Sequence, residues 1–302
     1  MDHHVNERPR LAVGVVGAGR VGSVLGAALA RAGHDVVAVS GVSAASKGRA
    51  ADLLPGVPVV TVDEVLARST LVLLTVPDDA LPGLVRGLAA TRAVQRGQLL
   101  AHASGRHGLS VLEPAVEQGA LPLALHPVLP FAGTRIDLER LTGTAFGVTA
   151  PEQLRPVAEV LVVEMGGEPV WLTEQQRPLW HAALAHGANH LTTLVASSAD
   201  LLRAAGVEHP AQVLGPLLGA ALDGSLRAGD AALTGPVARG DAGTVRAHLE
   251  VLAAAAPEVL PSYIAMARLT ADRALVSGRL DPDRAWALLE VLATPPIGSA
   301  PQ

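Results

Sequence analysis

The chain has 302 residues, a net charge of −5, 49% apolar residues and no cysteine. The lack of cysteine excludes disulfides, thiolate nucleophiles and cysteine-based zinc sites, and it fits a cytoplasmic protein. An acidic balance with three Trp, two Phe and one Tyr offers neither a basic surface nor stacking platforms, so we expect no nucleic-acid partner. No apolar run is long enough to cross a membrane, and residues 1–10 have no apolar leader, so neither a membrane span nor a signal peptide is expected.

The first motif is an apolar run that breaks into Gly-Ala-Gly-Arg-Val-Gly at residues 17–22. Gly17 permits a tight turn from strand to helix, Gly19 lets a pyrophosphate approach the backbone, and Gly22 lets the helix pack closely on the strand. The motif therefore predicts a dinucleotide site. Its residues are Gly17, Ala18, Gly19, Arg20, Val21 and Gly22.

The residues that follow this motif complete a β-α-β unit. A helix is predicted over residues 24–32, closed by Gly33, and a second strand over residues 35–39. The free N–H groups at the start of such a helix, together with its dipole, favour a bound phosphate.

The end of the second strand indicates which cofactor is bound. An NAD site has an acidic residue there for the ribose 2′-hydroxyl, but this chain has Val-Ser-Gly. Ser40, Ser43, Lys47 and Arg20 suit a 2′-phosphate instead, with Arg49 a weaker candidate. We therefore predict NADP as the cofactor, although Lys47 and Arg20 are also typical of a solvated surface.

The rest of the first half alternates strands and helices, which predicts an α/β fold with a doubly wound, mostly parallel Rossmann sheet. Asp63 is the expected N-cap of a short helix. Further strands are predicted over residues 57–62, 70–76, 98–101, 121–125, 145–149 and 169–172, and helices over 63–68 and 81–91.

From residue 173 the apolar period becomes helical. Thr173 and Gln176 form a candidate capping box before a long helix that ends at Gly206. Further helices are expected over residues 210–229, 242–256, 257–277 and 282–293. We therefore predict two domains, an NADP-binding Rossmann domain over residues 10–173 and an all-α substrate and dimerisation domain over 174–302, with the cleft between them as the ligand site.

Three predicted strand ends carry candidate site residues, because the carboxyl edge of the sheet meets the cofactor. Val76 and Pro77 follow one strand, and Asp78 beside them is better explained as an N-cap than as a catalytic group. Ser104 can hydrogen-bond a ribose or a substrate, or simply form a turn. His126 precedes a proline and is held extended; a histidine poised near pH 7 suits proton transfer, and a structural role is equally open.

Polar residues also lie on the predicted long helix. His186, Asn189, His190 and Thr193 share one face at i, i+3, i+4 and i+7 spacing, so they either pair within their domain or line the cleft. The two histidines have metal-ligand spacing, but the glutamate of H-E-x-x-H is replaced by Gly187, and no metal site is expected.

The segment Thr-Gly-Pro-Val-Ala-Arg-Gly-Asp, residues 234–241, is expected to join two helices, with Asp241 as a cap. The loop itself does not explain Arg239. Its planar guanidinium fits a substrate carboxylate, and a surface or inter-helix ion pair is the alternative.

Five motifs, GAGRVG, LVLLTVPDDAL, HASGRHG, LALHP and LTGPVARGD, together resemble Rossmann-like proteins with a DUF2520 C-terminal domain. These are similar to the 6-phosphogluconate-dehydrogenase-like group, with pyrroline-5-carboxylate reductase and ketopantoate reductase as relatives. The resemblance implies an NADP-binding oxidoreductase, and some members are alternative ketopantoate reductases. The better-known ketopantoate reductases use a lysine on the interdomain helix; Lys47 is the only lysine of this chain, so their mechanism does not transfer.

Three functions follow from the residues and the resemblance together. The first is NADPH-dependent reduction of a small 2-oxo acid such as ketopantoate, with His126 or Asn189 polarising the carbonyl and Arg239 holding the carboxylate. The second is reduction of a cyclic imine of the pyrroline-5-carboxylate type, and the third is NADP binding by a non-catalytic regulatory protein. Apolar helices in the second half, over residues 214–222 and 251–260, predict a homodimer.

Overall fold

The computed structural model describes residues 10–293, and the chain divides into two compact units, Met1–Gly187 and Ala188–Gln302. The first unit contains every strand of the described chain, and the second is helical. The domain limits expected from the sequence, 10–173 and 174–302, remain our proposal.

One seven-stranded sheet runs through the first unit in the order β2-β1-β3-β4-β5-β6-β7. All neighbouring pairs are parallel except β5 and β6, which are antiparallel. The chain order reverses on either side of β1, which is the switch point where ligands bind in such sheets. The strands are β1 Ala12–Val16, β2 Asp35–Ser40, β3 Leu71–Leu74, β4 Leu99–His102, β5 Leu121–Pro127, β6 Ala145–Thr149 and β7 Glu168–Trp171.

Helices cover both faces of this sheet, as the alternating strand residues require. Leu71 and Leu73 of β3 pack in one buried cluster with α1 and α7, whereas Val72 and Leu74 pack in another with α3 and α4. The doubly wound fold predicted from the sequence is therefore confirmed. The helices of this unit are α1 Arg20–Arg31, α2 Ala44–Leu53, α3 Val62–Arg68, α4 Leu81–Ala90, α5 Glu113–Val116, α6 Arg135–Arg140, α7 Arg155–Glu164 and α8 Arg177–Leu184.

Two local predictions in this half are wrong. Residues 57–62 form no strand; a single bridge joins Val59 to Val39, because the segment turns into α3 at once. The N-cap of α3 is Thr61, not Asp63. Thr61 forms a capping box with Glu64, whose carboxylate accepts the Thr61 N–H at 3.0 Å.

The second unit contains six helices in the described chain. Its buried cluster joins α11, α12, α13 and α14, with Val245, Leu249 and Leu288 at its centre. By contrast, α9 has no buried residue. The helices are α9 His190–Ala204, α10 Pro210–Ala228, α11 Gly235–Arg239, α12 Ala242–Ala255, α13 Leu260–Val276 and α14 Pro282–Ala293.

The predicted long helix is interrupted. Between α8 and α9 the backbone forms a π-helical turn over Ala185–Asn189, with hydrogen bonds to the fifth residue rather than the fourth. This turn disrupts the i, i+3, i+4 register assumed for His186, Asn189, His190 and Thr193. All four side chains are exposed, and their place in a ligand site stays a prediction.

No helix of residues 10–293 is both long and apolar enough to span a membrane.

Candidate active site

The glycine-rich turn between β1 and α1 is fixed to the end of β2. Gly17 has φ of 96°, which favours glycine. The N–H groups of Gly17 and Ala18 donate to the Ser40 carbonyl at 3.2 and 2.7 Å, and the Ser40 hydroxyl lies 3.3 Å from the same Gly17 nitrogen. Ser40 is buried and engaged with the turn, which differs from the phosphate contact expected from the sequence.

Gly19 has open space around it and Gly22 is tightly packed, as their expected roles require. A side chain on Gly19 would meet only the Gly17 carbonyl, at 3.9 Å, so this face of the turn is open to a ligand. A side chain on Gly22 would overlap Thr75 and the Gly17 carbonyl. Thr75, which the sequence did not single out, donates its hydroxyl to the Gly17 carbonyl at 2.7 Å and joins the end of β3 to the turn.

Basic side chains gather beside this turn. Arg20 and Lys47 are exposed, and Ser43 caps α2 by accepting the Ser46 N–H at 3.1 Å. Arg49 is half-buried: a Cβ on Gly133 would lie 2.8 Å from its Cδ and 3.1 Å from the Cα of Arg20. Arg49 therefore lies close to Arg20, and it is better placed for a phosphate than the sequence indicated.

The end of β4 is held by its own histidine. His102 is fully buried; its Nδ1 accepts the Ser104 N–H at 3.2 Å and its Nε2–H donates to the Gly108 carbonyl at 2.8 Å. Burial, with the Arg177 charge, lowers the pKa of His102 to about 4. This neutral ring shapes residues 104–108.

Further hydrogen bonds link that segment to the end of β3. The Ser104 hydroxyl accepts the His107 N–H at 3.0 Å, and His107 Nε2–H donates to the Asp78 carbonyl at 3.1 Å. The expected capping role of Asp78 is wrong, because α4 has Ala80 as its N-cap and no side-chain cap. Val76 packs beside the glycine-rich turn: its Cγ1 would lie 3.2 Å from a Cβ on Gly17.

Arg177, in the first turn of α8, connects the segment after β4 with β6. It is fully buried and donates to the carbonyls of His107, Ser104 and Gly147 and to the Thr149 hydroxyl. Burial lowers the pKa of Arg177 to about 10, so the guanidinium stays charged at neutral pH. The sequence showed only an arginine before a proline, with no signal of this role.

Glu174 supports the same segment. Its carboxylate accepts the Leu109 N–H at 2.6 Å and the Ser110 hydroxyl at 2.6 Å. Burial opposes ionisation, but these hydrogen bonds outweigh it and lower the pKa of Glu174 below its ordinary value. Glu174 therefore remains an acceptor that holds the backbone beyond Gly108.

His126 lies near the end of β5, where it pairs with Gly147 of β6. Its Nδ1 accepts the indole N–H of Trp180 at 3.1 Å, and the His181 ring packs edge-on with centroids 5.9 Å apart. A Cβ on Gly105 would lie 2.8 Å from His126 Nε2, so the rings fill the space beside that glycine. Within residues 10–293, Nε2 has no hydrogen-bond partner.

The charge state of His126 differs from the expectation of a group poised near pH 7. Burial, followed by the charges of Arg177 and His181, lowers its pKa to about 4, although Asp78 opposes the shift. The ring is therefore neutral at physiological pH. With Nδ1 accepting a hydrogen bond, its proton lies on Nε2.

The remaining predicted residues lie in the second unit. Asn189 is exposed and ends the π-helical turn, and Arg239 is exposed at the end of α11. The segment that the sequence indicated as a loop thus contains a short helix. Asp241 caps α12 as predicted, accepting the Thr244 N–H at 3.0 Å. No cluster of metal-ligating side chains occurs among the described residues.

The first unit therefore brings together the predicted turn, Val76, Ser104 and His126 at the carboxyl edge of one sheet. Sequence reasoning missed Thr75, Arg177, Trp180 and His181, which carry no local motif. The open face at Gly19 leaves room for a ligand beside the glycine-rich turn. This arrangement is a Rossmann-like fold with a dinucleotide-type turn at its switch point.

Comparison with protein-family models identifies two domains in the chain. A Rossmann-like domain model matches residues 2–127, and the DUF2520 model, a domain of unknown function, matches residues 144–270. The chain thus combines a Rossmann-like domain with a DUF2520 domain, and the resemblance seen in its motifs is confirmed. No curated protein matches the chain in sequence.

Several solved structures share the fold. BF3122 of Bacteroides fragilis, described as an NADP oxidoreductase, is 21% identical with a TM-score of 0.73, over 87% of this chain and 98% of that chain. An imine reductase from Pseudomonas sp. is 20% identical with a TM-score of 0.64, over 94% and 100%. A pyrroline-5-carboxylate reductase from Streptococcus pyogenes is 14% identical with a TM-score of 0.60, over 88% and 98%.

Proposed function

We propose that the protein is an NADPH-dependent reductase of a small 2-oxo acid, with ketopantoate as the named candidate. The observation that carries this proposal is the pairing, on one sheet edge, of a glycine-rich turn with an imidazole whose Nε2–H has no protein acceptor in the described chain. A nucleotide site beside a neutral hydrogen-bond donor suits reduction of a polar double bond.

In this function NADPH supplies the hydride when bound. The hydride would be for the carbonyl carbon, and the carbonyl oxygen would take its proton from water. His126 donates a hydrogen bond from Nε2 to the same oxygen, as a neutral imidazole can. Asn189 is the alternative donor, and Arg239 is proposed to bind the substrate carboxylate through its exposed guanidinium.

The preference for NADP rests on charge and space near the end of β2. Arg20, Lys47 and Arg49 supply positive charge, and Ser43 begins a helix at the same loop. No acidic side chain follows β2 to accept a ribose 2′-hydroxyl. Gly17, Ala18, Gly19, Val21 and Gly22 are proposed to bind the pyrophosphate, and Val76, Pro77 and Ser104 the ribose and nicotinamide side.

A cyclic imine is the second candidate substrate. Two structures with this fold are described as an imine reductase and a pyrroline-5-carboxylate reductase, and the chemistry differs only in the atom that receives the electron pair. The same arrangement, a glycine-rich turn and His126 on one sheet edge, serves both.

We further propose a cytoplasmic homodimer. Leu217, Leu222 and Val251 are 62%, 53% and 65% exposed, so these apolar side chains are accessible to a second copy of the chain. Leu214, which the sequence also assigned to the interface, is instead buried within its own chain. Light scattering at micromolar concentration tests this assembly, and a monomer would contradict it.

The decisive experiment follows NADPH oxidation with a panel of 2-oxo acids and cyclic imines, using NADH in parallel. Turnover of a 2-oxo acid with NADPH supports the proposal, and turnover of imines alone favours the second candidate. Tight NADPH binding without turnover on any member would indicate a regulatory protein.

Variants locate the residues that bind cofactor and substrate in the same assay. Lys47→Ala with Ser43→Ala should weaken NADPH binding far more than NADH binding, by about 1.5–3 kcal/mol for each charge-assisted hydrogen bond that the substitutions remove. Arg239→Ala should raise KM strongly and lower kcat less, so that kcat/KM falls by about a hundredfold. Equal weakening for both cofactors, or a normal KM with a lowered Tm, would remove these residues from the site.

A further inference from the structure

Trp180 makes the one hydrogen bond that His126 receives from the described chain. The indole N–H of Trp180 meets His126 Nδ1 at 3.1 Å, with the two ring planes at 82°. An indole nitrogen only donates, so this contact requires a lone pair on Nδ1. Protonation of His126 at Nδ1 would place two donors against each other.

The position of Trp180 is itself fixed by the backbone. A Cβ on Gly147 would lie 2.9 Å from the indole Nε1 and 2.9 Å from Leu172 Cδ1, so the ring packs directly on β6. Gly147 also pairs with His126 across the sheet, and its carbonyl accepts a bond from buried Arg177 at 3.3 Å. The indole therefore has little freedom to move away from His126.

We infer that Trp180 is a positioning residue for the proposed reaction: it fixes the tautomer of His126 so that Nε2–H, and not a protonated ring, is presented to the substrate. This inference rests on the proposed function for its chemistry, but its structural content does not. It assigns His126 the part of a permanent hydrogen-bond donor, in place of an acid that loses and regains its proton near pH 7.

The charged groups around His126 do not all act in the same direction as Trp180. Arg177 and His181, whose ring packs edge-on against it, disfavour a positive charge on the ring, whereas Asp78 favours one. Trp180 adds a directional restraint to these charges, because it acts on one nitrogen alone. Removing its N–H should therefore raise the pKa of His126 even though no charge is changed.

The test is NMR of protein with ¹⁵N-labelled histidine, whose two-bond ¹H–¹⁵N correlations distinguish the tautomers. His126→Gln identifies the signals of His126. In the wild type we expect the Nε2–H tautomer throughout pH 5–8. In Trp180→Phe, which keeps a ring but loses the donor, the titration midpoint of His126 should rise by about one pH unit, the size of one hydrogen bond, and the acidic limb of the rate profile should move equally.

Trp286→Phe is the matched control, because that tryptophan is 70% exposed, and its titration should equal that of the wild type. Gly147→Ala provides a second route if Trp180→Phe does not fold, because it displaces the indole without deleting it, and it should shift the titration in the same direction. An unchanged midpoint and tautomer in a folded variant would overturn the inference. A fixed tautomer in a protein that reduces no substrate would refute the proposed function alone.

Discussion

The carboxyl ends of β4 and β5 lie side by side, and each carries a histidine. In the described chain, both ring nitrogens of His102 form hydrogen bonds, but only one nitrogen of His126 does. His102 and His126 both accept a hydrogen bond at Nδ1, and burial lowers the pKa of each to about 4. The Nε2–H of His102 donates to Gly108, whereas that of His126 has no acceptor in the described chain. The two rings therefore have the same charge but different roles, because only the Nε2–H of His126 remains available to donate to a ligand.

The donors of these two hydrogen bonds also lie at different distances from their histidines along the chain. Ser104, two residues on, donates to His102, so that arrangement belongs to a single turn. Trp180, 54 residues on, donates to His126 and requires β6 and α8 to be in place. The first contact is built by local structure, and the second depends on tertiary packing.

The largest effect is expected from Arg177, which supports the ends of β4 and β6 through its hydrogen bonds to Ser104, His107, Gly147 and Thr149. Arg177→Met removes a buried cation and leaves the carbonyls of Ser104, His107 and Gly147 short of donors. We expect a loss of about 3–5 kcal/mol in the free energy of unfolding, seen as a Tm lower by on the order of 10 °C. Arg68→Met is the control, because its ion pair with Glu64 is exposed and should change stability by less than about 0.5 kcal/mol. Equal shifts in the two variants would show that Arg177 does not support these strand ends.

Alanine at each histidine separates the two roles. His102→Ala leaves the Gly108 carbonyl unsatisfied and opens a buried cavity, so we expect a loss of about 2–4 kcal/mol in urea unfolding. His126→Ala loses one hydrogen bond and should cost about 1 kcal/mol while abolishing most turnover of any substrate found. A larger stability loss at His126 than at His102 would reverse the comparison.

The pH dependence of stability tests the buried neutral state of His102. A ring with a pKa of about 4 in the folded protein and 6.5 when unfolded binds fewer protons when folded, so stability is present above pH 6.5 and falls as the pH drops towards 4. From pH 7 to 5.5 this group alone should lose about 1 kcal/mol. Unfolding of His102→Gln over the same range should be less pH-dependent than that of the wild type. Identical slopes would indicate that folding does not lower the pKa of His102.

The smallest effect is expected at Ser104, whose hydroxyl accepts the His107 N–H. Ser104→Ala should lower stability by about 1 kcal/mol and weaken NADPH binding by about threefold, both measurable by thermal unfolding with and without NADPH. Lower stability with unchanged NADPH affinity would leave Ser104 a turn residue only.

Much of the fold follows from local patterns in the sequence. The three glycines after β1, the continuous apolar strands and the caps at Thr173 and Asp241 are each determined by neighbours within a few residues, and the structure places them as predicted. The prediction of a strand over residues 57–62 is wrong, because apolar residues form a strand only where a partner strand runs along their length. The sequence does not predict the π-helical turn at Ala185–Asn189, because the same residues also fit the spacing of an ordinary α-helix.

The candidate site was predictable only in part, for the same physical reason. His126 was indicated by its position at a strand end. The shift of its pKa could not be predicted, because it arises from burial and from Arg177, Trp180 and His181, which come 50 or more residues later in the chain. No pattern marks an arginine whose acceptors are backbone carbonyls on two separate segments.

The two glycines that make room for aromatic rings imply a rule for sequence variation. Gly147 can gain a side chain only if the indole at position 180 is displaced or lost, and Gly105 only if the rings at 126 and 181 change, because a Cβ at either glycine would lie within 3 Å of those rings. Among naturally occurring relatives, substitutions at 147 and 180 should therefore appear together, as should those at 105 and 181. A chain that retained Trp180 beside a bulky residue at 147 would need a different path for β6.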